Sequence, residues 1–331
     1  MADIDEREFF ELLRRHRTFV LTTHVNPDGD ALGSEIALAR LIPEVSGPDA
    51  EVRIVNRDGV PELLSFLDPT HSIEVFGKER HAGPIRDADV VICLDNSDTG
   101  RLGEVHDAIR ASSAIKACVD HHPDPDPFWD LLFVDEGVSC TAEIVHDLFR
   151  SRGVEPGREA AIAMYIALVS DTGRFRFANT GDRAFEMAAE LVRSGASPAE
   201  AYSQLEERLS EDHLSFLGHV LAGAELRAEG RIMILRAPQA LLSRHRMAGV
   251  DLGELINLAL RSETARVTAL FREVGPSQTK VSLRSKGRLD VNRLAREHGG
   301  GGHRNASGIL LDVALEDAIE RVSPDLEKLV G

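Results

Sequence analysis

No stretch of this 331-residue chain is apolar enough to cross a bilayer. The longest hydrophobic run, Ala160 to Val169, is ten residues, where a spanning helix needs about 20. The opening segment, MADIDEREFFELLRRHRTF, is too charged for a secretory signal and contains no apolar core. A cytoplasmic location without a membrane partner is the expectation. Cysteine is scarce: Cys93, Cys118 and Cys140 are odd in number, far apart and without CxxC spacing, which excludes a disulfide framework and a zinc ribbon. Cys93 and Cys118 fall inside apolar runs and are expected in a core. Positive charge is also in deficit. Lys and Arg number 38 against 55 Asp and Glu, a net charge of −17. Such a field repels long polyanions and disfavours duplex nucleic acid, so a nucleic-acid ligand must be held locally, by metal or by a basic patch. There are no internal repeats. Hydrophobic residues at 43% and charged residues at 28% describe a folded chain of about two domains.

The first part of the chain alternates β-rich runs with helical stretches: RTFVLTTH, a helix from Ala31 to Leu41, EVRIVN, ADVVICLDN, a helix after Arg101, and IKACVDHH. This alternation predicts an α/β fold with a doubly wound, mostly parallel sheet. From Ser139 to about Leu226 apolar residues recur at helical spacing through TAEIVHDLF, EAAIAMYIALV and RAFEMAAELV. SPAEAYSQLEERLSEDHLSFLGHVL, charged and amphipathic, reads as a helical connector. Beyond it, RIMILRA, ARVTALFREV and QTKVSLRSKG read as strands, the last two separated by Gly275-Pro276. Helices around Asp251 to Arg261, Asp290 to His298 and Leu315 to Leu329 complete a smaller mixed domain. The expected boundaries are a catalytic domain over 1–195, the connector over 196–228 and a substrate-binding domain over 229–331.

Three of the apolar runs end in Asp and His: FVLTTHVNPDGD, VVICLDNSD and IKACVDHHPD. On parallel strands these clusters fall at the carboxyl ends, where open α/β sheets place their sites. The first supplies His24, Asp28 and Asp30, with Gly29 expected to let the backbone turn and aim both carboxylates inward. Asp95 and Asp120-His121-His122 follow. Asp171 ends a strongly apolar helix, where an unpaired charge is costly to bury. Carboxylates this close repel unless cations lie between them. A mixed Asp and His set suits Mn²⁺, with Fe, Co or Mg as other candidates, and the lack of thiolates disfavours structural zinc. Six ligands suit two ions better than one. Two-metal centres, with ions about 3.5–4 Å apart, lower the pKa of a bridging water and neutralise charge on a phosphoryl group, so the chemistry implied is phosphoester or phosphoanhydride hydrolysis.

HVNPDGDA, LDNSD, VDHH and SDTG, in this order, resemble the four motifs of the DHH phosphoesterase family, and GGGGHRNASG resembles the glycine-rich motif of the associated DHHA1 domain. The resemblance spans nearly the whole chain. It implies that His24 and Asp28 hold one Mn²⁺, that Asp30 and His121 hold another, that Asp95 bridges both, and that Asp171 completes the ligand set of the second ion. It implies further that Asp120 orients a His and that His122 faces the substrate, touching the scissile phosphate or assisting the leaving group. The DHHA1 resemblance assigns Arg284, Ser285, Gly300, Gly301, Gly302, His303 and Arg304 to a terminal nucleotide or phosphate. A short substrate would then lie between that cradle and the metals.

The cradle has a charge signature of its own. Between residues 280 and 304, Lys280, Arg284, Lys286, Arg288, Arg293, Arg296 and Arg304 face only Asp290 and Glu297, a local excess of five cations in an acidic protein. Glycines 299 to 302 would offer backbone N–H groups to an anion, with His303 and Arg304 adding charge-assisted bonds. The acidic surface and small basic cradle favour a short anionic ligand, and the family resemblance implies hydrolysis of short oligoribonucleotides and of 3′-phosphoadenosine 5′-phosphate. A RecJ-like single-strand exonuclease or a dinucleotide phosphodiesterase is the alternative enzyme, and a non-catalytic nucleotide-binding module the alternative of another class. A family II pyrophosphatase would lack the glycine-rich segment, and the oligomeric state, a dimer included, is left open.

Several residues near the motifs have plain structural roles as their simplest reading. Asp98, Asp124 and Asp126 read as turn or helix caps, His298 as a helix end and Trp129 as packing. Arg101 and Arg174 follow the second and fourth motifs and read either as phosphate contacts or as solvated ion-pair partners, Arg101 being placed with the substrate-binding set. Asn26 serves either the substrate or its own turn.

Overall fold

A computed structural model describes residues 2–250 and 252–331. The chain divides into two compact units, the first ending at Arg208 and the second spanning Leu209–Gly331.

The first unit runs β1 (Ala2–Asp3), α1 (Glu6–Arg15), β2 (Thr18–Thr22), α2 (Gly29–Ser46), β3 (Glu51–Asn56), β4 (Ile73–Val75), α3 (Lys78–Asp87), β5 (Val90–Leu94), α4 (Val105–Ala111), β6 (Ile115–Asp120) and β7 (Leu131–Val134). Helices α5 (Thr141–Arg152), α6 (Arg158–Asp171), α7 (Asp182–Arg193) and α8 (Pro198–Glu206) follow. The strands form a seven-stranded sheet in the order β1-β7-β6-β5-β2-β3-β4, and every pairing is parallel. Successive side chains feed opposite faces, as the pleat requires. Phe19, Leu21, Ile54, Val90, Ile92, Leu94, Ala117 and Val119 pack under α1, α2, α5 and α6. Val20, Val55, Val91, Cys93 and Cys118 pack under α3 and α4. Burial on both faces explains why these strands read as unbroken apolar runs.

Three strands escape the sequence pattern because β1, β4 and β7 have only two, three and four residues. Helix α2 is longer than the expected Ala31–Leu41. It carries Pro43 in its last turn and stops at Gly47, whose φ of +101° breaks the helical path. All three cysteines are buried free thiols.

The second unit contains α9 (Glu211–Ala222), β8 (Glu225–Arg227), β9 (Ile232–Ala237), α10 (Gln239–Arg244), α11 (Gly253–Ala259), β10 (Val267–Gly275), β11 (Gln278–Ser285), α12 (Val291–Glu297), β12 (Gly301–His303), β13 (Ala306–Leu311) and α13 (Leu315–Val330). Its six-stranded sheet has the order β12-β13-β11-β10-β9-β8. Only β9 and β10 pair in parallel among the described residues. Helices α12 and α13 cover one face and α9 to α11 the other. Asp251, the expected start of one helix, lies outside the described residues.

The stretch 196–228, expected as a helical connector, contains helices α8 and α9 and the short strand β8. Ser210 starts α9 afresh by accepting the His213 N–H at 3.1 Å. Ala201 of α8 is buried in the first unit's core, while Phe216, Leu217 and Val220 of α9 are buried in the second unit's. Each helix therefore belongs to its own unit.

Candidate metal centre

Strands β2, β5 and β6 are neighbours, and the chain leaves β2 toward β3 and β5 toward β6 in opposite directions, by helices on opposite faces. Their carboxyl ends therefore meet at the switch point of the sheet, where a crevice opens by topology alone. His24, Asp95 and Asp120-His121-His122 all stand there.

The side chains fall into two groups, and one residue of the first also faces the second. His24, Asp28 and Asp95 bring one donor atom each to within 4.8 Å of one another, as do Asp30, His121 and Asp171. Asp95 faces both groups. Its Oδ2 lies 3.6 Å from His24 Nε2 and its Oδ1 lies 3.6 Å from His121 Nε2. His24 Nε2 is also 3.9 Å from Asp28 Oδ2, and His121 Nε2 is 3.3 Å from Asp171 Oδ2 and 3.9 Å from Asp30 Oδ2. A third set, Asp95, His121 and His122, overlaps these.

Each donor is aimed by a local bond. His24 Nδ1 sits 2.9 Å from the Val25 carbonyl. A carbonyl can only accept, so Nδ1 carries the proton and Nε2 keeps a free lone pair toward the carboxylates. Asp28 caps α2, its Oδ1 accepting the N–H groups of Asp30 and Ala31 at 3.1 and 3.2 Å, which leaves Oδ2 for His24. Asp95 sits in the left-handed region at φ +57°, a conformation Asp tolerates better than most residues. Asp120 closes β6, and its Oδ1 accepts the N–H groups of His121 and His122 and pairs with His122 Nδ1 at 2.8 Å. That contact fixes the ring and leaves its other nitrogen outermost on a half-exposed side chain.

The electrostatics call for cations. Burial, followed by the charges of Asp30, Asp28, Asp120 and Asp171, holds the Asp95 carboxyl well above the usual carboxylate range. Burial likewise raises Asp30. Burial together with Asp30 and Asp28 pushes Asp171 up to about 7. His121 Nε2 is buried with no hydrogen-bond partner. Carboxylates that repel one another around an unsatisfied imidazole nitrogen are what divalent cations relieve, so the donor set fits a metal pair. Asp120 differs: burial pushes it up, but its hydrogen bond and charge interaction with His122 outweigh this and bring it below the usual value. The same bond raises His122.

Sequence reasoning overlooked the residues that hold this cluster in place. Cys140 occupies the N-cap of α5 but makes no side-chain cap bond. Asp30 does that work from α2. Its Oδ2 and Oδ1 accept the Thr141 and Ala142 N–H groups at 2.7 and 3.0 Å, while Thr141 Oγ1 donates to Asp95 Oδ1 at 3.0 Å. A helix start without a capping oxygen was the one signal available. Deeper, wholly buried Glu35 accepts Asn56 Nδ2 at 2.8 Å, and burial pushes its carboxyl up to about 8 despite that bond. Asn56 Oδ1 accepts the Thr23 N–H at 3.2 Å, and Thr23 Oγ1 donates to the Leu94 carbonyl at 2.8 Å. The residues that follow Thr23 and Leu94, just beyond the ends of β2 and β5, are His24 and Asp95, so this chain of bonds helps set their separation.

Gly29 has a role other than the expected tight turn. It begins α2, and a Cβ there would stand 2.1 Å from Ser170 Oγ. At Gly33 a Cβ would stand 2.4 Å from the Ala163 carbonyl oxygen and 2.8 Å from Ala167 Cβ. The two glycines let α2 close onto α6, which carries Asp171 beside Asp30. Gly33→Ala is expected to cost about 1–3 kcal/mol by overpacking and, where the cluster holds divalent cations, to weaken their binding in parallel. Urea midpoints and titration calorimetry would check this, and wild-type values in both would refute it.

A model of the DHH family, N-terminal domain, matches residues 18–168, and a DHHA1 domain model matches residues 237–330. The chain is 31% identical over 327 residues, covering 97% of both chains, to the bifunctional oligoribonuclease and PAP phosphatase NrnA of Bacillus subtilis. The chain belongs to the DHH family. It is 29% identical over 307 residues to the Thermus thermophilus protein of the same name, covering 91% of this chain and 87% of that one. An exopolyphosphatase-related protein from Bacteroides fragilis, of known crystal structure, superposes with a TM-score of 0.85 at 26% identity, covering 98% of this chain and 96% of that one. As a DHH phosphoesterase, the chain is a hydrolase.

The DHHA1 domain places its expected contacts unevenly. Arg284, on β11, is half-buried and donates from Nη1 to the Leu283 carbonyl at 3.0 Å. Ser285 is buried, donating to the Leu289 carbonyl at 2.8 Å and accepting Asn305 Nδ2 at 2.9 Å. Asn305, unsuspected from sequence, also donates to the Gly287 carbonyl at 3.0 Å, clamping the turn after β11. The glycine segment is not a row of free N–H groups. Gly299 and Gly300 donate to the Arg296 and Ala295 carbonyls at 3.1 and 2.8 Å, and Gly301 to His303 form edge strand β12. Gly300 and Gly302 are needed for contact with β13, where a Cβ would come within 2.1 and 2.6 Å of the carbonyl oxygens of Gly308 and Ala306. His303 and Arg304 are exposed, Arg304 donating to the Arg288 carbonyl at 2.8 Å.

The remaining candidates resolve simply. Arg101 is exposed, forms no ion pair among the described residues, and its charge reaches His122. Arg174 pairs with Glu206. Asp98 caps a short turn and Asp126 accepts from Thr99. Trp129 is buried and donates to the Ser97 carbonyl at 3.0 Å, and His298 meets Asp325 at 3.1 Å. Asn26 is a left-handed turn residue at φ +54° whose N–H donates to Asp58. No helix among the described residues is long and apolar enough to cross a membrane.

Proposed function

We propose that this chain is a cytoplasmic, Mn²⁺-dependent phosphoesterase that hydrolyses short oligoribonucleotides and 3′-phosphoadenosine 5′-phosphate. The observation that carries the reading is Asp95, whose two oxygens face two separate ligand groups. His24 and Asp28 would hold one ion, Asp30, His121 and Asp171 the other, and Asp95 both. When bound, such a pair supplies Lewis-acid charge for the phosphoryl oxygens and an activated water as nucleophile.

The protein's own groups do the rest. Thr141 and the first amides of α5 donate to Asp30 and Asp95 and hold their carboxyl groups in position. Asp120 orients His122, and the raised affinity of that ring for a proton suits it to donate to the departing oxygen. Substrate length is argued from charge. A −17 chain repels long polyanions, and the cationic stretch from Lys280 to Arg304 offers a local attraction to a terminal phosphate. Arg284, His303 and Arg304 are its proposed contacts, with Gly301 and Gly302 as the accessible part of the glycine segment. The names of the Bacillus and Thermus relatives support both substrates.

The test measures turnover of a labelled ribodinucleotide, a 24-mer and 3′-phosphoadenosine 5′-phosphate, before and after chelation and Mn²⁺ restoration. Expected is metal-dependent cleavage of the first and third, with the 24-mer much slower. Activity that survives chelation would sink the metal assignment, and equal rates on dinucleotide and 24-mer would sink the length preference. Arg284→Ala is expected to raise KM about tenfold with little change in kcat, the signature of lost uniform binding.

A further inference from the structure

Directly after Asp171 the backbone adopts a costly path. Gly173, Arg174 and Phe175 are consecutive left-handed residues, at φ +55°, +62° and +60°, and only the first has no Cβ. A bulky aromatic residue at positive φ is strained and persists only where its surroundings impose it. They do so here. Arg174 N–H donates to the Val169 carbonyl at 2.8 Å, Phe175 N–H to Thr172 Oγ1 at 3.1 Å, and the Arg176 and Phe177 N–H groups both to the Thr172 carbonyl at 2.9 Å. Asn179 Nδ2 ties the far end to the Asp171 and Ser139 carbonyls at 3.2 and 2.9 Å.

What this effort achieves is the opposite of burial. Phe177 is 48% exposed and Phe185, on α7, 56%. Phe185 stacks on Phe175 with centroids 5.2 Å apart and ring planes 21° from parallel. The Arg176 guanidinium lies 5.1 Å from the Phe177 ring centroid. The Phe177 ring folds back over Gly173, two residues from Asp171, so closely that a Cβ there would fall 2.5 Å from it. Exposed phenyl rings held by a strained turn beside a catalytic carboxylate make sense if a flat, aromatic ligand covers them.

We propose that Phe177, with Arg176 beside it, is the platform on which a nucleobase of the substrate stacks while its phosphate occupies the metal centre. This rests on the nucleotide reading above and extends it. Every base has a π face, so a phenyl ring with an adjacent guanidinium selects nucleotides as a class without selecting a sequence. It also gives an acidic protein a means of gripping its substrate that does not depend on net charge.

The test compares wild type with Phe177→Ala and Phe177→Trp in the Mn²⁺-loaded full chain. The substrates are a ribodinucleotide and the same molecule with one base removed at either position. Phe177→Ala is expected to raise KM for the intact dinucleotide about tenfold, to change kcat less than twofold, and to leave kcat/KM unaltered for one of the abasic analogues. Phe177→Trp should restore KM. In stopped-flow, a 2-aminopurine dinucleotide should show a transient fluorescence quench with wild type and none with Phe177→Ala. Unchanged KM, a quench that persists, or equal losses on intact and abasic substrates would overturn the platform. A lowered melting temperature with unchanged KM would overturn it as well, assigning the ring to packing or to a protein partner. If wild type cleaves no dinucleotide, the substrate reading itself fails. If wild type cleaves it and Phe177→Ala behaves identically, only the platform fails.

Discussion

Asp95→Asn is expected to reduce Mn²⁺-dependent turnover by roughly 10³-fold or more on every substrate while leaving the fold intact. Asparagine has the same shape and tolerates the left-handed backbone at this position as well as aspartate does, so a loss cannot be ascribed to strain. What the substitution removes is the charge on two oxygens that face His24 and His121. Calorimetry should therefore show two Mn²⁺ sites per chain in wild type and at least one fewer in the variant. The metal-free proteins should show a second, opposite effect. Burial and neighbouring carboxylates raise Asp95 far above its ordinary value. A group raised in the folded state withdraws stability as pH climbs above its unfolded value. Metal-free Asp95→Asn should thus melt no lower than wild type near pH 8, yet gain less from added Mn²⁺. A variant with wild-type turnover and two full sites would mean that Asp95 is not shared between the ions.

The second large effect is in the core. Glu35 is buried, its carboxyl stands at about 8, and its ordinary value is 4.5. Between those two values the folded protein keeps a proton that the unfolded chain gives up. Stability from this group is therefore complete below pH 4.5 and falls by about 1.4 kcal/mol per pH unit until the folded value is reached. Glu35→Gln preserves the acceptor for Asn56 Nδ2 and removes the titration. Its stability relative to wild type should grow on the order of 3 kcal/mol between pH 5 and pH 8 and then level off. Urea midpoints at pH 5, 6.5 and 8 would measure this. The clustered carboxylates around Asp95 titrate in both proteins and cancel from the difference, so parallel curves would show that Glu35 is ionised throughout.

Much of the centre was readable because parallel strands buried on both faces leave a plain trace: apolar runs that stop abruptly at Asp and His. FVLTTH, VVICLD and IKACVDHH are such runs, and their ends converge at the carboxyl end of three neighbouring strands in the middle of the sheet. Less readable were parts whose roles depend on what lies opposite. Ser285 and Gly300 look like anion contacts in a basic glycine-rich segment. Their polar groups are instead bonded to the Leu289 and Ala295 carbonyls, because the turns after β11 and α12 draw on them to satisfy backbone carbonyls. Asn305 and Glu35 carried no local signal, since a buried polar residue is identified only by its partners.

Residue chemistry and chain order alone decided the types of donor side chain, the parallel sheet of the first unit and the end of it at which those side chains gather. Tertiary packing decided the spacings. Asp171 reaches Asp30 because two glycines let α2 close on α6, Asp30 is clamped by the amides of α5, and Asp95 divides its oxygens between two groups. The physical reason is that periodicity reports which side of an element is buried, whereas the distance between two carboxylates is set by helices that meet more than a hundred residues apart in the chain.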